Sequence, residues 1–296
     1  VLLDNPNLKR VIFKDPYLKK SWSLTDNTLI IRGTVGVGDL GLSLSTAFYI
    51  ANLLKTKIHL IYYWTHDEFY QHTPEDPETI IEKLKYLHSL CYKSEIVTYE
   101  NVFNADHDMF NGQMLLNIER EGKMDFEELN VPDGLNSWKF KPHIMNKEIS
   151  KRKVSLWRYN FNSYTPPTWK RSYKEEDWQY IMDSLKRQGW QIQELCYRTP
   201  IREALYHIQT SRFCVGYDGM WHYLARMLYK PTIITGDSTI VNVHNPQCMP
   251  FYSPNKDKGR RFDFRGFIDN LDSTMIKLDS NCERYKNKVD KIIEDR

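Results

Sequence analysis

Along the chain, short β-branched apolar runs alternate with stretches whose apolar residues recur three and four positions apart. The run TLIIRGTV at 28–35 reads as a buried strand. A glycine loop, GVGDLG from Gly36 to Gly41, comes next. Beyond it Leu42, Leu44, Ala47, Phe48, Ile50, Ala51 and Leu54 keep helical spacing, which predicts a helix from Ser43 to Lys55. KIHLIYYW at 57–64 predicts a second strand, so strand, loop, helix and strand make one βαβ unit. A helix beginning after Pro77 and running to Cys91, with Ile80, Ile81, Leu84, Leu87 and Leu90 inward, and a strand from Glu95 to Val102 extend it.

From Asn104 to Asn146 the periodicity fades into polar stretches punctuated by Gly112, Gly122, Pro132, Gly134 and Pro142. Extended loops and short helices are expected there, of the kind that shape a binding mouth. Regular alternation returns at 154–161 with VSLWRYNF, a strand. It is followed by the loop NSYTPPTWKRSY, then the helix EEDWQYIMDSLKRQGW, opened by Glu175 and Glu176 and stopped at Gly189. WQIQEL (strand), PIREALYHIQTS (helix, opened by Pro200), RFCVGYD (strand), GMWHYLARMLYK (helix) and PTIITG (strand) continue the pattern. Parallel βα layering accounts for such alternation. CERYKNKVDKIIEDR at the end, 282–296, reads as a charged amphipathic helix. The expected organisation is two successive α/β domains, 1–150 and 151–296.

Composition narrows the class. Hydrophobic residues at 41% allow a proper core, and charged residues at 27% suit a soluble surface rather than disorder or a fibre. The longest apolar stretches are too short for a membrane span. The opening VLLDNPNLKRVIFKDP mixes charges into its apolar runs, unlike a signal peptide, and lacks a starting methionine, so a few preceding residues are expected. Five scattered cysteines, never spaced as CxxC, argue against a disulfide scaffold or structural zinc and for a reducing cytoplasm. A net charge of +3 permits an anionic partner without demanding one. The sequence favours Lys, Asn, Tyr and Ile, and its only alanines are Ala47, Ala51, Ala105, Ala204 and Ala225. That bias fits an AT-rich genome, as in many phages and some bacteria.

Two motifs carry candidate chemistry. Gly36, Gly38 and Gly41 match GxGxxG between a strand and a helix. A dinucleotide site would use these glycines to bring the backbone to a pyrophosphate, with Asp67 or Glu68 at the ribose. Asp39, however, would repel a phosphate held by the same amides, whereas a carboxylate at a helix start is stabilised as the anion. The loop therefore also reads as a mount for an ionised general base, with Gly36, Gly38 and Leu40 shaping the acceptor side. A plain turn capped by Asp39 is the third reading. In the second half, VGYDGMWHYLARMLYKPTIITG runs from strand through helix to strand. Gly219 frees the helix start, whose N–H groups can hold a diphosphate. Asp218 can accept from a sugar hydroxyl and His222 can donate to a phosphate; Trp221, Tyr223 and His222 read equally well as core.

Together, GVGDLGLSLS and VGYDGMWHYLARMLYKPTIITG resemble the GT-B-fold glycosyltransferases of the heptosyltransferase-like family. That family carries an early GxGD loop and a late strand–Asp–Gly–His–Leu–Ala helix before Lys-Pro and a strand. The resemblance implies two Rossmann-like domains facing a central cleft, with the terminal helix returning to the first. It makes Asp39 the catalytic base and puts Asp218, Gly219, Met220, Trp221 and His222 at a nucleoside-diphosphate-sugar donor. Arg158, Lys170 and Arg171 occupy the region whose basic side chains meet the donor phosphates. The family spacing is Asp-x-Gly-x-x-His; here Gly219 directly follows Asp218, and without a gap Tyr223 falls on the histidine position. Either His222 or Tyr223 therefore faces the donor.

The function expected is glycosyl transfer to a hydroxyl, with inversion, no cofactor and no obligatory metal. Asp106-His107-Asp108 is a DxD, a triplet that also arises by chance. Lys256, Lys258, Arg260 and Arg261 lie among Phe262, Phe264 and Phe267, a run that could grip nucleic acid or simply be a solvated loop. Two acceptors compete: a hydroxymethylated pyrimidine in phage DNA, and a surface glycan or lipid-linked sugar. An NAD(P) oxidoreductase and a non-catalytic nucleotide-binding module remain the readings of another class. The sugar, the donor base and the oligomeric state are not encoded in any of these motifs.

Overall fold

The structure is a computed structural model of the 296-residue chain. It describes residues 10–14, 21–25, 27–32, 44, 47, 48, 50–52, 54–63, 77–102, 140–157, 175–196, 198–216, 220–234, 248–250 and 264–294. Chain contacts divide it into two compact units, Val1–Trp138 with Val289–Arg296, and Lys139–Lys288.

In the first unit, β1 (Arg10–Lys14), β2 (Ser21–Thr25), β3 (Thr28–Arg32), β4 (Ile58–Tyr63) and β5 (Val97–Val102) form one sheet in chain order. β3, β4 and β5 run parallel, as the βα alternation requires. β1 and β2 add an antiparallel hairpin that the periodicity did not disclose. Asn27, at φ 55°, turns the chain into β3 in the left-handed conformation that Asn tolerates better than most residues. Its carbonyl accepts from the His59 N–H at 2.9 Å and its Nδ2 donates to Thr56 Oγ1 at 3.3 Å.

Two helices cover one face of this sheet. Leu44, Ala47, Phe48, Ile50, Ala51, Asn52 and Leu54 are helical (α1), and all but the half-buried Leu54 are buried. α2 (Pro77–Ser89) buries Ile80, Ile81, Leu84 and Leu87, the stripe its sequence predicts, while Leu90 beyond it is only half-buried. Phe48 meets His88 with ring centroids 5.8 Å apart, and His88 stands edge-on to Tyr99 of β5 at 5.3 Å. Both helices thus share a face, as right-handed crossovers running in one direction impose. On the other face His59 spans Thr98 Oγ1 (3.0 Å) and Glu100 Oε2 (3.3 Å).

The second unit holds β6 (Lys153–Trp157), β7 (Gln191–Glu194), β8 (Phe213–Gly216), β9 (Thr232–Ile234) and β10 (Cys248–Pro250). Their order is β10-β9-β8-β6-β7, parallel throughout. A single-turn α3 (Pro142–Met145) precedes them, followed by α4 (Glu175–Arg187), α5 (Ile201–Thr210), α6 (Met220–Met227), α7 (Phe264–Asp269) and α8 (Leu271–Glu294). Val154, Leu156, Phe213, Val215 and Ile233 pack against Trp178, Ile181 and Leu185 of α4, Ile268 of α7 and Leu271, Met275 and Leu278 of α8. Alternate strand residues point the other way: Ser155 bonds Ser211 just beyond α5, and Lys153 bonds α5 itself. Helices therefore cover both faces, as a fully buried parallel sheet demands.

Gly189, at φ 81°, ends α4, with Gly189 N–H donating to the Lys186 carbonyl at 2.9 Å and Trp190 N–H to that of Leu185 at 3.0 Å. This is the glycine stop its sequence implied. The terminal helix differs from expectation: it starts at Leu271, well before Cys282, because Leu271, Met275, Leu278 and Cys282 form one continuous buried stripe. Among the described residues no helix is long and apolar enough to cross a membrane.

Candidate functional site

In the second sheet the chain leaves β6 for β7 on one side, then returns to place β8 on the other. Connections diverge between β6 and β8. In open parallel sheets the crevice at such a switch point, beyond the carboxyl ends of the strands, is where ligands bind.

Trp157 and Gly216 are the last residues of β6 and β8 and lie opposite one another in register. Both are buried, and the Trp157 indole lies across the glycine. A Cβ at position 216 would clash severely with Nε1, Cε2 and Cδ1 of the ring. Gly216 is thus a glycine because of its neighbour's ring. The sequence reading passed over Trp157 altogether. Its signal was a large aromatic ending one strand beside a glycine ending the next, which only the strand order brings together.

Two candidate segments follow these residues in sequence. Arg158 follows Trp157 directly in sequence, with Lys170 and Arg171 further along. Asp218 and Gly219 lie between Gly216 and the start of α6. These five residues lie outside the described ones, as do Gly36, Gly38, Asp39 and Leu40 between β3 and α1, the DxD at 106–108, and Lys256, Lys258, Arg260 and Arg261. Met220, Trp221 and His222 are described and form the first turn of α6. His222 is wholly buried and Trp221 nearly so, which leaves Met220 as the half-exposed side chain of the three. The side chain of Tyr223 lies outside the described residues. First-turn N–H groups of α6 have no intrahelical acceptor, and the parallel βα step sets them at the carboxyl end of the sheet.

The opposite end of the same sheet gathers cations for a different purpose. Lys153 begins β6; its Nζ donates to Thr210 Oγ1 at 2.6 Å, lies 3.0 Å from His207 Nδ1 and sits 5.3 Å from the centre of the Tyr206 ring. Burial lowers the Lys153 pKa. The His207 pKa is lowered too, by burial and by the Lys153 charge, so a neutral imidazole accepts at Nδ1 while Nε2 faces Glu203 at 3.5 Å. Lys230, from the Lys-Pro step before β9, is buried and donates to the Ser211 carbonyl at 3.0 Å; desolvation lowers its pKa to about 8. Arg212 pairs with Asp279 of α8 through both terminal guanidinium nitrogens, one donating to each carboxylate oxygen. These groups tie strand starts to helices and lie at the far end of the sheet from the crevice.

Cys91, Cys196, Cys214 and Cys282 are free thiols. Among the described residues no group of three His, Cys, Asp or Glu side chains could hold a metal ion.

The second unit is thus a doubly wound parallel α/β unit, and the chain as a whole is mixed α/β with parallel pairing in both sheets and an antiparallel edge on the first. No protein family and no curated relative matches the sequence. Its neighbours among solved structures are glycosyltransferases. E. coli heptosyltransferase WaaC with ADP is 11% identical at a TM-score of 0.46, over 83% of this chain and 99% of that one. The E. coli ADP-heptose lps heptosyltransferase II is 11% identical at a TM-score of 0.49, over 85% and 99%. The glycosyl transferase of family 9 from Veillonella parvula is 9% identical at a TM-score of 0.47, over 84% and 97%.

Proposed function

We propose that this chain transfers a sugar from a nucleoside-diphosphate sugar to a hydroxyl acceptor, in a GT-B-like arrangement of domains 1–150 and 151–296. The observation that carries this reading is the switch point between β6 and β8. The basic loop of Arg158, Lys170 and Arg171 and the Asp218-Gly219 start of α6 leave from those two strands, at the position where parallel sheets take nucleotides.

The donor diphosphate lies against the free N–H groups of α6, with Met220 beside it and the basic loop opposite. Helix dipole and cations stabilise the diphosphate as it leaves, so no metal is required. Asp218 orients the sugar. Either His222, which is buried, or Tyr223 faces the donor phosphates. Asp39, mounted between β3 and α1, removes the acceptor's proton as its oxygen attacks the anomeric carbon. With one base on the acceptor side, displacement is direct and inverts the anomeric centre. The preferred acceptor is a hydroxymethylated pyrimidine in DNA, supported by the basic run at 256–261 and the phage-like composition; a surface glycan is the other.

A thermal-shift screen against UDP, GDP and ADP, with NAD and NADP alongside, tests the donor. A selective rise with one nucleoside diphosphate is expected. A rise with NAD alone would replace this reading with the oxidoreductase one. Asp39→Asn should leave nucleotide binding intact and lower transfer by about 100-fold to 10,000-fold, the contribution usual for a general base. A variant with full activity removes Asp39 from the role.

A further inference from the structure

We infer that His207 and Lys153 form an acid-sensitive latch, which holds the segment 141–152 to the last turn of α5 and releases it in mild acid. This segment carries α3 and leads into β6. From 146 to 152 every residue is exposed, Ile149 at 50%, so burial does little to keep it in place. Polar ties to one end of α5 hold it instead. Gln209, only 6% exposed, donates from Nε2 to the Ile144 carbonyl at 2.8 Å. Ser150 N–H donates to the Thr210 carbonyl at 2.9 Å. Where β6 begins, Arg212 N–H donates to the Lys153 carbonyl at 2.8 Å. A segment held this way opens locally at little cost once one tie is lost.

Lys153 Nζ is the tie that responds to pH. It donates to Thr210 Oγ1 at 2.6 Å, and that hydroxyl donates in turn to the Tyr206 carbonyl at 2.9 Å. Its second acceptor is His207 Nδ1 at 3.0 Å, which accepts only while the ring is neutral. A proton on Nδ1 turns that acceptor into a donor and sets two cations against each other where water is scarce. Glu203, one turn back on α5, offers the charged ring another partner, with Oε1 3.5 Å from Nε2. The imidazole thus has two arrangements: neutral and bonded to Lys153, or charged and turned to Glu203.

Other groups near the pair do not relieve the repulsion. Lys230, just ahead of β9, adds positive charge, and Cys214 of β8 stays a neutral thiol, its pKa pushed up to about 12 by burial. Burial first, and then Lys153, hold the His207 pKa below its ordinary 6.5, against the pull of Glu203. In the open form the ring is free of both and titrates near that ordinary value. As pH falls below it, the open form takes the proton first and gains population; well above it the latch keeps its full strength.

The test follows amide hydrogen exchange of the full chain between about pH 7.5 and about pH 5, corrected for the intrinsic pH dependence of exchange. Protection of Ser150 N–H is expected to fall by about threefold or more over that range. Leu195 N–H, which donates to the Leu156 carbonyl at the other end of β6, should keep its protection. His207→Gln gives Lys153 an amide oxygen that does not titrate, and should hold Ser150 protection steady within about 1.5-fold. Lys153→Met removes the opposing charge, so the His207 ring, followed by its proton shifts, should titrate at higher pH than in the parent. If that variant does not fold, His207→Gln decides alone. Ser150 protection that ignores pH in the parent, or a fall that persists in His207→Gln, would overturn the inference. So would an unmoved His207 titration in Lys153→Met. An equal fall at Ser150 and Leu195 would mean global acid unfolding in place of a latch.

Discussion

Lys230 carries a buried charge whose main anchor is the carbonyl of Ser211, and it makes stability depend on alkaline pH. Its pKa is about 8 in the folded chain against 10.5 for an unperturbed lysine. Between those values the unfolded chain holds more protons, so this residue makes folding more favourable as pH rises through that window, and its full penalty applies below it. The thiols Cys214 and Cys282 act in the opposite sense: burial pushes both up to about 12 from 9.0, so above pH 9 the unfolded chain ionises first and stability falls. Comparison with Lys230→Met isolates the lysine. In urea midpoints taken from pH 7.5 to 10, the parent should gain on the variant as pH rises. A constant difference would mean that Lys230 titrates normally. Lys-Pro was legible in the sequence as a motif, yet its place at the start of β9, away from the crevice, was not. Motifs record spacing along the chain, and which end of a sheet a residue occupies depends on where its strand begins.

Among the helices, α8 shows what packing adds to periodicity. Leu271, Met275, Leu278 and Cys282 follow one another by four, three and four positions, and Thr274 is buried beside them. That stripe is helical in period, but Asp272, Ser273, Lys277, Asp279 and Ser280 dilute it enough that only the charged end stood out. The β1–β2 hairpin was missed for a related reason: RVIFK and SWSLT lie among the charged and polar residues of the opening segment, with no clean apolar run to set them apart. By contrast α2, α4 and α5 were legible almost to the residue, since Pro77, Glu175 and Pro200 mark their starts and Gly189 ends α4. Leu278 is wholly buried against the core of the second sheet, so Leu278→Ala should cost about 2–5 kcal/mol. Ile276, one helical face away and 71% exposed, should tolerate Ile276→Ala within about 0.5 kcal/mol. Chemical denaturation of the two variants checks the assignment of faces; equal losses would show that α8 does not pack by this stripe.

For the whole molecule, parallel βα layering could be read from alternation alone, whereas the order β10-β9-β8-β6-β7 could not. Alternation says that strands are parallel and never which strand lies beside which, and the crevice exists only through that adjacency. The acceptor poses a similar problem, because a net charge of +3 on 296 residues gives no field strong enough to name a polyanion. Any DNA binding must therefore come from a local cluster, and Lys256, Lys258, Arg260 and Arg261 are the densest candidate. If each displaces a counterion from a phosphate, log K should fall against log salt with a slope of roughly −3.6, losing about a hundredfold between about 50 and about 200 mM. Replacing Arg260 and Arg261 by Gln should bring that slope nearer to about −1.8, with affinity lowered alike on plain and hydroxymethylated duplexes. Fluorescence anisotropy on the two duplexes reads both quantities. A hydroxymethyl preference that survives the Gln changes would assign base reading to the crevice and phosphate contact to the basic run. Affinity for neither duplex at low salt would exclude the DNA acceptor and turn the search to glycans bearing a free hydroxyl.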